Sequence, residues 1–196
     1  MKATFNVLGV AGSTRQGSYS TQTLKIVLDH AKKHGAEIRL LELNRIVLPL
    51  YNPSAPGSKE VELAAEAVVW ADAFILTSPD YHGSISGALK NFLDHFYEEF
   101  AGKLFGYIVA SHEKGLTVME QMRTAVRQCY GWSLPYGVSI NGPQDFTNRE
   151  LSNPRLSSRV QMMARDLVVY GKLLRDQFVV DLGSSVSDTF AAHYRS

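Results

Sequence analysis

Five short apolar runs divide the chain: Thr4–Val10, Glu37–Leu43, Ala73–Thr77, Leu104–Ala110 and Tyr136–Ile140. Runs of this length bounded by turn residues predict strands, and those without polar interruptions predict strands covered on both faces. Between them, apolar residues recur at three- and four-residue spacing over Ser20–His34, Lys59–Asp72, Ser86–Tyr97, Leu116–Tyr130 and Ser157–Asp176, which predicts helices with one buried stripe. Gly35 stands where a left-handed cap closes the first helix. Pro49, Pro53, Pro56 and Gly57 make Asn44–Ser58 a long loop.

Strands alternating with helices predict an α/β fold, a doubly wound five-stranded parallel sheet with helices on both faces. Residues 1–196 then form one domain, with Phe178–Ser196 read as a tail or a subunit-contact segment. Ligands of such sheets sit at the carboxyl ends of the strands. The loops leaving those ends are Ala11–Ser20, Ser78–Ile85 and Ser111–Gly115, and they are expected to meet at one site.

Composition narrows the partners. The 196 residues are 45% hydrophobic, enough for a sizeable core, and carry a formal charge of +1. That balance offers no field for nucleic acid, and no apolar run approaches a membrane span, so the partner is expected to be a small molecule. A single cysteine, Cys129, leaves no internal disulfide framework, and a cytoplasmic location is expected.

The first loop carries the strongest chemistry. Gly12-Ser13-Thr14-Arg15-Gln16-Gly17-Ser18-Tyr19-Ser20 joins a strand to a helix, where unpaired amides and the helix dipole favour an anion. Ser13, Ser18, Ser20 and Thr21 add hydroxyl donors and Arg15 adds a fixed positive fork, while no carboxylate precedes Asp29. The glycine spacing matches a nucleotide P-loop, but Ser18-Tyr19 replaces its lysine pair, so an NTPase is excluded. The dinucleotide fingerprint is absent too, although Glu42 stands where a ribose-binding acid would. A turn whose hydroxyls only cap the helix remains a structural alternative.

Other motifs resolve more plainly. Gly83-Ser84-Ile85-Ser86-Gly87 lacks the central serine of a nucleophile elbow. His30 and His34 share a helix face without a third ligand, so no metal site is assigned. His112 and Glu113 lie on the third loop, open to either solvent or substrate. Phe92, Phe96, Tyr97 and Phe100 form a stripe read as core, with Tyr97 free to meet a second subunit.

The first loop resembles the G-S-x-R-x-x-S-x-N phosphate loop of NADPH-dependent FMN reductases, a flavodoxin-like group that includes quinone, azo and chromate reductases. Pro79-Asp80-Tyr81-His82-Gly83-Ser84-Ile85-Ser86-Gly87-Ala88-Leu89-Lys90-Asn91 resembles that family's P-E-Y-N-x-S-x-x-G-x-L-K-N motif. Both stand in order at predicted strand ends, and the resemblance extends to about Ile140. It implies FMN as cofactor and NADPH or NADH as reductant. Ser13, Arg15, Ser18, Ser20 and Thr21 would hold the phosphate. Pro79, Asp80, Tyr81, His82, Gly83 and Ser84, with Ser111, would hold the ring. It also implies a homodimer or homotetramer.

Ser20 and His82 replace asparagines of the family pattern, and Ser111–Gly115 lacks its glycine richness. Hydride transfer on a stacked cofactor needs no protein acid or base, so no catalytic side chain is assigned. The acceptor would be a small molecule such as a quinone, an azo compound, a metal oxyanion or free flavin. The alternatives are a flavodoxin-type electron carrier, and a dinucleotide-binding protein without flavin.

Overall fold

The structure, a computed structural model, describes residues 4–195. Met1–Ala3 and Ser196, which fall in the expected domain and tail, lie outside the described residues. Strands β1 (Phe5–Ala11), β2 (Ala36–Glu42), β3 (Ala73–Pro79) and β4 (Leu104–Ala110) pair in parallel in the order β2-β1-β3-β4. Two short segments, β5 (Trp132–Ser133) and β6 (Val138–Ile140), share the next position beside β4. The 2-1-3-4-5 order is that of the flavodoxin-like doubly wound sheet.

The sequence predicts one last strand over Tyr136–Ile140, whereas the strand begins at Trp132 and is interrupted. Leu134 still donates its amide to the Phe105 carbonyl at 2.9 Å, but Pro135 has no N–H to continue the ladder. β6 resumes beside Ile108–Ala110.

Alternation along β1 builds two cores at once. Leu8 and Val10 face α2 (Lys59–Trp70), α3 (Gly87–Asp94) and α4 (Leu116–Gln128), packing with Val68, Phe92 and Met122. Phe5, Val7 and Ala11 face α1 (Tyr19–Lys33) and α6 (Pro154–Gly183), packing with Leu24, Val160 and Leu167. β1, β3 and β4 are buried almost throughout, while β2, an edge strand with no partner on its outer side among the described residues, is partly exposed.

α3 is shorter than the Ser86–Tyr97 expected. The chain turns at His95 and re-enters as a 3-10 turn over Glu98–Phe100, which lets Phe96 and Phe100 both reach Phe92, at ring separations of 5.1 and 6.3 Å. Tyr97 is left about half exposed.

α6 is longer than expected at both ends. Asn153 caps it by accepting from the Arg155 and Leu156 amides, and Pro154 occupies the first turn, where its missing N–H costs nothing. At the far end the chain folds back from Ser184, and the 3-10 turn Phe190–Tyr194 stacks on Phe178 and Tyr130. The Arg195 guanidinium donates to the Asp181 and Val186 carbonyls and seals that helix end.

Between β6 and α6 the chain forms a one-turn helix, α5 (Gly142–Asp145), and a small hairpin of β7 (Phe146–Thr147) and β8 (Glu150–Leu151). Asp145 knots its base, accepting from the Asn141 amide and the Asn153 side chain, both at 2.7 Å. The hairpin leans on α1 through Phe146, whose ring lies 5.1 Å from that of Tyr19.

Candidate functional site

The first loop leaves β1 under tight restraint. Gly12 donates its amide to the Thr77 carbonyl at 3.0 Å, and its own carbonyl accepts from the Ser86 hydroxyl at 2.6 Å. A Cβ at Gly12 would fall 2.4 Å from the Thr77 oxygen, so only glycine permits this approach. Ser86 is also the N-cap of α3, accepting from the Leu89 amide, and its own amide donates to the Ser78 hydroxyl. One buried serine therefore joins the first loop, the end of β3 and the start of α3.

Beyond that anchor the loop opens. Ser18 caps α1, and its hydroxyl lies 3.2 Å from that of Ser20 and 2.8 Å from that of Thr21. The cap takes only the Thr21 amide, so among the described residues the first-turn amides of Tyr19 and Ser20 have no partner, and no acidic residue occupies that turn. Ser13 is buried and accepts from the Arg15 amide at 3.3 Å. The Arg15 side chain is exposed and, among the described residues, its guanidinium has no partner.

The second loop is built differently. Tyr81 and Ser84 pair with each other, amide to carbonyl in both directions, around a turn in which His82 and Gly83 take positive φ of 58° and 76°. Asp80 Oδ1 accepts from the Gly83 amide at 2.8 Å, and its Oδ2 from the Ser111 hydroxyl at 2.9 Å. The Gln121 carboxamide on α4 meets the other flank: Oε1 accepts from the Ser84 hydroxyl and the Ile85 amide, and Nε2 donates to the Gly83 carbonyl. From Asp80 to Ser86, every amide but that of His82 has a partner in the chain among the described residues.

The third loop is tied to both neighbours. Ser111 donates its amide to Ile140 and accepts from the Glu113 amide, and the Asn141 side chain donates to the His112 carbonyl. His112 and Glu113 themselves are exposed.

The structure thus places Ser13, Arg15 and Ser18 in one loop, and Ser20 and Thr21, both buried, in the first turn of α1 that follows it. Pro79 stands at the end of β3, and Asp80, Tyr81, His82, Gly83 and Ser84 follow it, with Ser111 hydrogen-bonded to Asp80. The carboxylate of Asp80 and the hydroxyl of Ser111 hold the loops rather than stand open, while Tyr81 and His82 are exposed. Glu42 is engaged by Lys25 and Arg45, which removes it as a free ribose acceptor. Lys90 pairs with Asp94, and Asn91 fastens the long loop by accepting from the Tyr51 amide and donating to the Pro49 carbonyl.

Three contributors escape sequence reasoning. Ser86 is legible as a helix cap but not as the joint to Gly12. Gln121 and Asn141 have no local pattern that marks them. Burial raises the pKa of the Cys129 thiol, with Glu99 and Asp94 adding to it, which makes it a poor nucleophile. Two concavities, of about 430 and 400 Å³, lie elsewhere: one beside Arg155 and Arg159 of α6, the other between Glu99, Lys103 and Tyr194. Among the described residues no helix is long and apolar enough to cross a membrane, and no cluster of ligating side chains could hold a metal.

These donors fit a flavin mononucleotide. Converging hydroxyls, free first-turn amides and an unpaired guanidinium suit a phosphate dianion. A rigid turn with one free N–H and an exposed aromatic face suits a flat heterocycle. Residues 5–144, which contain all three loops, match the family described as NADPH-dependent FMN reductase.

The chain belongs to that family. It is an oxidoreductase with FMN as cofactor and NADPH as reductant. Its sequence is 28% identical over 166 residues to an FMN-dependent NADPH-azoreductase of Staphylococcus aureus, covering 80% of this chain and 87% of that protein. In structure this FMN reductase is similar to FerB, a flavoenzyme NAD(P)H:(acceptor) oxidoreductase from Paracoccus denitrificans. The TM-score is 0.72 at 17% identity, over 86% of this chain and 98% of that one. A flavodoxin, WrbA-like protein from Agrobacterium tumefaciens gives 0.63 at 15% identity, over 87% and 99%. Both likenesses establish the flavodoxin-like fold.

Proposed function

We propose that this FMN reductase passes electrons from NADPH through FMN, bound across the first and second loops, to a small acceptor. An azo compound or a quinone is the acceptor class favoured. The observation that carries the reading is the pairing of an open phosphate cradle with a braced turn, joined through Ser86 and Gly12. The azo assignment draws support from the Staphylococcus aureus relative, whose name gives that activity.

FMN supplies the two-electron chemistry when bound, so the chain's task is to hold and orient it. Ser18, Ser20 and Thr21 would donate hydroxyls to the phosphate while Arg15 supplies charge from solvent. Tyr81 and His82 flank the surface that nicotinamide and acceptor would share in turn. Toward a nicotinamide 2′-phosphate, Arg45 is paired with Glu42 and Arg123 with Glu120, whereas Arg127 is exposed. A homodimer or homotetramer in the cytoplasm completes the reading, with exposed Leu50, Tyr51 and Tyr97 as candidate contacts.

The second reading is a flavodoxin-type electron carrier, which the fold alone would allow. Anaerobic NADPH added to the FMN-loaded protein distinguishes them. Bleaching of the flavin absorbance within the mixing time is expected, and flavin that stays yellow would assign the protein to the carriers.

A further inference from the structure

We propose that Gln121 is a positioning residue for the flavin ring: its carboxamide fixes Gly83 so that the loop offers one free donor, the His82 amide. The inference rests on the FMN reading and goes beyond it by assigning a residue on a different helix from the loop it controls.

Gly83 needs such a restraint. At φ 76° it is the freest residue of the turn, and a Cβ there would touch nothing within 4 Å, so no packing holds it. Hydrogen bonds at both its peptide groups hold it instead. Asp80 takes its amide at 2.8 Å, and Gln121 Nε2 donates to its carbonyl at 3.3 Å. Gln121 Oε1 meanwhile accepts from Ser84 Oγ and the Ile85 amide, both at 3.0 Å, and fixes the far side of the turn.

A carboxamide suits this task because it offers donor and acceptor side by side. A carboxylate could meet Ser84 and Ile85 but would face the Gly83 carbonyl with a second acceptor. An apolar side chain could do neither. Both peptide groups of Gly83 are held, and the Gly83–Ser84 peptide that Gln121 fixes donates its Ser84 N–H to the Tyr81 carbonyl, which orients the peptide carrying the His82 N–H, the loop's only unpaired amide among the described residues. Gln121 lies off the buried stripe of α4, formed by Val118, Met119, Met122 and Val126, so replacing it leaves the core intact.

The test is the two-electron midpoint potential of bound FMN, together with its dissociation constant, in wild type and Gln121→Met. If Gln121 positions the ring, the two oxidation states lose affinity unequally. We expect weaker FMN binding and a potential displaced by about 30 mV or more, the equivalent of a tenfold difference between the states for a two-electron couple. Gln121→Glu carries the same test should the methionine variant not fold, and it is expected to shift the potential as well. An unchanged potential in a folded variant overturns the inference, whether or not affinity falls, because uniform loosening is a structural effect. A wild-type protein that binds no FMN overturns the reductase reading and this inference with it.

Discussion

The first and second loops stand at neighbouring strand ends and manage their backbone in opposite ways. The first is anchored at Gly12, clusters its hydroxyls around Ser18, and among the described residues leaves the Tyr19 and Ser20 amides and the exposed Arg15 guanidinium without a partner. The second satisfies its amides internally, through Asp80, Gln121 and its own carbonyls, until among the described residues only that of His82 remains. The proposed placement of FMN, its phosphate at the first loop and its ring at the second, accounts for the contrast. A phosphate presents many acceptors in all directions and is captured by many donors, with little demand on the position of each. A ring that must meet nicotinamide at a defined distance demands a fixed contact, and rigidity matters there more than the number of bonds.

Breaking the joint between the loops should have the largest effect. Gly12→Ala forces a Cβ against the Thr77 carbonyl and is expected to cost about 3 kcal/mol in denaturant unfolding, with loss of FMN binding. Ser86→Ala removes the cap of α3 and leaves the Gly12 carbonyl without its partner, so about 2 kcal/mol of stability should go. If either variant lost FMN affinity with stability unchanged, the joint would be a ligand contact and not a fold contact.

Arg15→Ala separates the loops. Affinity for FMN should fall about tenfold, roughly 1.4 kcal/mol, with an unchanged melting temperature, because the side chain has no partner in the chain among the described residues. A drop in melting temperature of the apoprotein would show that the first loop is braced after all. His82→Asn acts on the second loop alone. Asparagine tolerates positive φ better, so stability should rise by at most about 0.5 kcal/mol while FMN affinity stays the same, since the amide and not the imidazole is the donor. Altered affinity would move the contact to the side chain.

The division between what the sequence shows and what it hides follows the same physics. The buried strands β1, β3 and β4 read directly, because burial on both faces requires unbroken apolar runs. The hydroxyls and Arg15 of the first loop are legible as the candidate anion cradle, because side-chain donors offered to a ligand must be written into the local residue types. The bracing of the second loop is not legible, since Gln121 lies 38 residues from Gly83 and an exposed-looking glutamine on a helix resembles any other. Likewise Asp80 and Ser111 look like open ligands in sequence, and only the fold shows their atoms meeting each other. The interruption at Pro135 and the start of α6 at Asn153-Pro154 were both written in local chemistry, but the weak alternation of Trp132–Ser133 and the short hairpin before α6 masked them.

Calorimetric titration of the apoprotein with FMN and with riboflavin compares the loops most directly, because riboflavin keeps the ring and lacks the phosphate. Two or more charge-assisted hydrogen bonds in the first loop, worth about 1.5 kcal/mol each or more, predict FMN binding at least roughly a hundredfold tighter. Equal affinities for the two ligands would mean that the open donors around Arg15 and Ser18 hold nothing, and would contradict the assignment of that loop.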